Sequence, residues 1–128
     1  MKLRIWILAA LTGAILFVVN AQAHHSITTF YDREKTISIS GVLKEIRILN
    51  PHSSFLVEVT ETSGQTVTWN VVCGNATQMA RAGWTSETLK VGTKITVEGN
   101  PGRNGVRGLI AKEFTTADGR KLSPGKVD

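Results

Sequence analysis

Cysteine is almost missing from this chain: Cys73 is the only one in 128 residues. No intramolecular disulfide can form, so the fold must be held by its core. Aromatic residues make up only 6% of the sequence, and two of them, Trp6 and Phe17, fall in the first segment. Three prolines are too few for a proline-rich linker. No run of like charges is present, which argues against a nucleic-acid or membrane patch. The longest apolar run, Ile5 to Val19, is broken by Thr12 and Gly13 and falls short of the roughly 20 residues a membrane-spanning helix needs. Also missing are a nucleophile–base pair, a glycine-rich phosphate loop and paired carboxylates on one cleft. No catalytic constellation is therefore found, and the chain does not read as an enzyme.

What is present begins with a leader. Lys2 and Arg4 precede the apolar run, and Ala21-Gln22-Ala23 supplies the small-residue pattern of a cleavage site. Residues 1–23 read as a secretory signal peptide, which implies an exported, periplasmic protein with no stable membrane span after cleavage. Removing Lys2 and Arg4 lowers the formal charge from +5 to +3. The remainder suits one domain with one modest core.

Along that remainder, residues 24–35 lack a clean period and read as an extended N-terminal arm. Residues 36–122 read as a barrel domain, and 123–128 as a loose tail. Thr36 to Asn50 is expected to form a long first strand. Its inward set changes from Ile37 and Ile39 to Val42, Ile46 and Ile48 after Gly41, as at a bulge or bend. Asn50-Pro51-His52-Ser53 is a turn. Phe55, Val57 and Val59 mark the second strand, and Val67, Trp69, Val71 and Cys73 the third. Asn75 caps a short helix that stops at Gly83. Ile95 and Val97 mark the fourth strand, and Val106 to Thr116 the fifth. Asp118-Gly119 is a hairpin signal, so Arg120 to Leu122 adds a short sixth strand. Strand, strand, strand, helix, strand, strand is the order of an all-β, five-stranded OB-like Greek-key barrel with its helix between strands 3 and 4.

Few residues could carry chemistry. Cleavage after Ala23 would make His24 the first residue, offering an amine and an imidazole beside His25. Nitrogen-rich sites of this kind favour Cu(II) among the divalent first-row metals. Cleavage after Ala21 would instead put His24 third from the amine, which is also a copper chelate. His52, in the Asn50–Ser53 turn, joins a metal set with His24 and His25 only if the arm folds back along the first strand. Solvated histidines that hold nothing are the plain alternative. Trp84 follows the helix stop. It either stacks on a ligand or caps the open end of the barrel. Arg81 can bind an anion or serve as soluble surface. Cys73 shares the phase of Trp69 and Val71, which points its thiol inward as a small hydrophobe.

The pieces His24-His25-Ser26, Gly41-Val42, Asn50-Pro51-His52, Trp69, Ala80-Arg81-x-Gly83-Trp84, Leu89-x-x-Gly92 and Asp118-Gly119-Arg120 together make the chain resemble a family of short exported bacterial proteins of unknown function. Cys73 departs from that pattern. The resemblance implies export and a small barrel, and it singles out His24, His25, His52, Arg81 and Trp84. Two functions follow as expectations. One is an exported periplasmic binding protein holding copper or a similar metal through its mature N-terminus and nearby histidines. The alternative is a metal-free module of the cell envelope that binds a small ligand or a protein through Trp84, Arg81 and the open barrel face.

Overall fold

Alternating apolar residues become six strands in the computed structural model, which describes residues 26–127. These are β1 (Ile37–Arg47), β2 (Ser53–Thr60), β3 (Thr66–Cys73), β4 (Lys94–Pro101), β5 (Gly108–Thr116) and β6 (Lys121–Leu122). Helix α1 is Ser26–Phe30, and helix α2, Ala76–Arg81, lies between β3 and β4. The strands follow the order β3-β2-β1-β4-β5-β6, and a further pairing of β3 with β5 closes the barrel. That closing contact is parallel and sets Asn70, Val71 and Val72 against Gly108, Leu109 and Ile110. Every other strand pairing is antiparallel. The result is a closed five-stranded OB-like barrel with β6 added at the end of β5 by a hairpin through Gly119 (φ 85°). Among the described residues, no helix is long and apolar enough to cross a membrane.

The core is the set of side chains that point inward from all five barrel strands. Leu43, Phe55, Val57, Val71, Val97, Leu109 and Phe114 are fully buried there. Burying each such side chain contributes about 1.5–3 kcal/mol, which offsets the entropy of ordering a small domain. Met79 of α2 plugs one end of the barrel and is also fully buried.

β1 differs in detail from its expected pattern. It keeps its first phase through Gly41 to Leu43, and the shift of face comes one pair later. A bulge at Lys44 lets Leu43 pair with Val57 and Glu45 with Leu56. Ile46 then turns toward the core. Ile48, expected inward, lies beyond the strand and is 40% exposed. Gly41 serves a different purpose, because a Cβ there would collide with the Glu58 carbonyl oxygen. The glycine permits the close approach of β1 and β2 rather than the bend itself.

Two flanking segments also differ from the sequence reading. Ser26–Phe30 is a short helix within the region that reads as an extended arm. The chain divides after it into a second unit that starts at Tyr31. There Tyr31 is buried and bridges Gly102. At the other end, the stretch that reads as a loose tail is tied down. Gly74 N donates to the Pro124 carbonyl at 3.0 Å, and Gly125 lies against Gln78.

Candidate functional site

Helix α2 organises one end of the barrel, and its two caps explain the chain's most distinctive motifs. At its start, Asn75 and Gln78 form a reciprocal capping box. The side chain of Asn75 accepts from Gln78 N at 2.9 Å, and the side chain of Gln78 accepts from Asn75 N at 2.8 Å. This satisfies two of the amide donors that a helix start leaves unpaired. Ala76 N donates to the Leu49 carbonyl at 3.0 Å and to Asn50 Oδ1 at 3.2 Å. The Asn50-Pro51-His52 turn therefore acts as an outside cap on α2, with a cis peptide between Asn50 and Pro51.

At its end, Gly83 takes a left-handed backbone, φ 89°. Gly83 N donates to the Ala80 carbonyl and Trp84 N to the Met79 carbonyl. That pair of bonds is a Schellman cap. It explains the spacing in Arg81-x-Gly83-Trp84: glycine takes the strained backbone, and tryptophan folds back over Met79.

Trp84 is half-buried, and its ring meets Phe55 and Phe114 with centroids 5.3 and 5.4 Å apart. Tilted and edge-on packing at such distances is favourable beyond area burial alone. Its Nε1 donates to the Ser123 carbonyl. The indole nitrogen is thus committed to the protein, and one ring face packs as part of the aromatic core.

The remaining surface of Trp84 helps to line a groove of about 470 Å³. Ile46 and Ile48 from β1 and its continuation form one wall. Ala76, Met79 and Ala80 from α2 form another, and Trp84, Thr85, Ser86 and Leu89 complete it. Most of the lining is apolar. Beside the groove, Leu49 is 53% exposed. A groove of this size and character suits an apolar group.

The five residues singled out from the sequence fare differently. Trp84 lines the groove. Arg81 ends α2 and is exposed, without an ion pair among the described residues. His52 is half-buried at the cap turn and has no hydrogen-bond partner among the described residues. His24 and His25 lie outside the described residues. Among the described residues no group of three His, Cys, Asp or Glu is placed to hold a metal ion. Cys73 is fully buried in the core, and burial pushes its thiol well above its ordinary value.

The sequence reading missed most of the groove: Ile46, Ile48, Met79, Ala80 and Leu89. One signal was available. Ile48 and Leu49 are adjacent apolar residues just before a turn, and one barrel face cannot bury both.

A family model described as a family of unknown function (DUF6152) matches residues 14–111. The chain belongs to that family. The match takes in the Asn50-Pro51-His52 turn, α2 and Trp84, so the whole frame of the groove lies within it. It ends within β5, before the tail that bonds Trp84. The comparison with curated proteins gave no match.

Proposed function

We propose that the protein is an exported periplasmic binding module that takes the apolar part of a ligand in the groove between β1, α2 and Trp84. The observation that carries this reading is the groove's apolar lining, open to solvent beside exposed Ile48 and Leu49. Isolated exposed hydrophobes are ordinary, but a contiguous apolar concavity marks a binding surface. Arg81 follows Ala80 on α2 and is exposed, but it is not among the residues that line the groove. Export rests on the leader and on the Ala21-Gln22-Ala23 pattern. The copper reading of His24, His25 and His52 keeps its support in the sequence alone.

The test uses a fluorescent apolar anion, anilinonaphthalene sulfonate. It should bind the native protein saturably, with one site. Ala80→Gln places a longer, uncharged side chain in the groove from an exposed position and should weaken binding at least tenfold while leaving the thermal midpoint nearly unchanged. Equal binding by both forms would reject the groove.

A further inference from the structure

We infer that the occupant of this groove is an extended peptide, added as a strand along an unpaired edge of β1. The inference rests on the binding reading above and names the chemistry of the ligand.

β1 changes neighbours part-way along. From Ile37 to Val42 it pairs with β4. From Val42 to Arg47 it pairs with β2 on its other side. On the β4 side the last bonds are at Leu43, which donates to the Thr93 carbonyl at 2.9 Å and accepts from Gly92 N at 2.7 Å. The next backbone bond beyond them is the one from Ala76 N to the Leu49 carbonyl. Between these two tie points, residues 44–48 have no backbone partner away from β2 among the described residues. Alternate residues of an antiparallel strand direct both N–H and C=O to the same side. The stretch therefore presents at least two donor–acceptor pairs over roughly 16 Å, at about 3.3 Å per residue.

The groove lies against this same stretch. Ile46 and Ile48 belong to it, and Met79, Ala80, Trp84 and Leu89 face it. A small apolar molecule would use these walls and leave the edge amides to water. An extended peptide uses both: its main chain satisfies the edge, and alternate side chains enter the groove. Open edges are commonly blocked by charged side chains. Here each charge is matched by an opposite one: Lys44 pairs with Glu58 of β2, and Arg47 pairs with Glu45 two residues back on the same strand. The edge then runs out into exposed Ile48 and Leu49.

Amide hydrogen exchange tests this on isotope-labelled protein in the form the cell processes. The probe is a blocked heptapeptide that alternates valine with lysine and threonine, compared with the same peptide N-methylated at alternate residues. The first peptide should displace anilinonaphthalene sulfonate and slow alternate amides within 44–48 at least tenfold. The methylated peptide should do neither, and Ala80→Gln should abolish both effects. If the dye binds and Ala80→Gln blocks it, but the peptide neither displaces it nor slows those amides, strand addition is wrong while the groove stands. Failure of the dye to bind overturns both readings. Protection already present without peptide at the amides of 44–48 that face away from β2 also overturns the inference. If that protection is lost when residues before Ser26 are removed, the chain's own segment fills the edge. If it rises with protein concentration, a second copy does.

Discussion

Gly83 holds its left-handed backbone so that Trp84 can fold back onto Met79, and a branched side chain at that position would oppose both. The left-handed region costs a residue with a Cβ about 1–2 kcal/mol. Gly83→Val is expected to lower the unfolding free energy by at least that amount in urea titration. Trp84 itself separates packing from hydrogen bonding. Trp84→Phe keeps a ring against Phe55 and Phe114 but loses the bond to the Ser123 carbonyl, an expected loss of about 1 kcal/mol. Trp84→Ala also empties the ring site and should cost about 3 kcal/mol, the low end for a large aromatic because Trp84 is only half-buried. Cys73 should resist thiol reagents in the native state and react only on unfolding, because the thiol is buried and its deprotonation is suppressed. At this scale the sequence was partly legible. The phase shared with Trp69 and Val71 places Cys73 inward, and Gly83 declares a helix stop. Nothing in the sequence shows that the Trp84 nitrogen is spent on a tail carbonyl, because that partner is 39 residues away.

Among the elements, β1 lines the groove and the C-terminal segment bonds the Trp84 indole that closes it. The sequence suggests a change of face in β1 but puts it at the glycine. The structure separates the two roles. Gly41 allows close approach, and the extra residue at Lys44 produces the shift. A one-residue bulge leaves no mark in composition, so periodicity alone cannot locate it. Gly41→Ala is expected to destabilise by about 1–3 kcal/mol, since its Cβ would press on the Glu58 backbone rather than on a movable side chain. The tail was illegible for a different reason. It pairs through backbone groups, Gly74 N to the Pro124 carbonyl, and backbone pairing carries little side-chain signature. Ending the chain after Leu122 should lower the thermal midpoint. It should also red-shift Trp84 emission in protein that lacks residues 1–23, and so Trp6, and carries Trp69→Phe, as the indole loses its partner. The β5–β6 hairpin adds a pH effect. A hydrogen bond from the Thr116 hydroxyl, reinforced by the Arg120 backbone, holds the Asp118 carboxyl below its ordinary 3.8. A depressed folded value gives stability that is present above the unfolded value and lost as pH falls through the folded one. Asp118→Asn should therefore flatten stability against pH below about pH 4 and leave the slope near neutrality unchanged.

At the scale of the whole molecule, the barrel was readable because its order of elements and its inward residues are written in period two. Phe55, Val57, Val71, Val97 and Phe114 all land in the core that this period assigns them. The groove was not readable, because it forms where three segments distant in sequence meet: the end of β1, α2 and the turn after Trp84. Each wall taken alone looks like core or loop. Their meeting depends on the outside cap of α2 by Leu49 and Asn50, and on the Schellman cap that aims Trp84. The same tie points leave β1 open between Leu43 and Leu49. Binding at that end is the central claim, and methyl resonances report it most directly. On titration with anilinonaphthalene sulfonate, the methyls of Ile46, Ile48, Ala76, Met79, Ala80 and Leu89 should shift together and saturate with one affinity. Shifts confined to a separate concavity lined by Val42, Ile95 and Ala117, or no saturable shift at all, would contradict it.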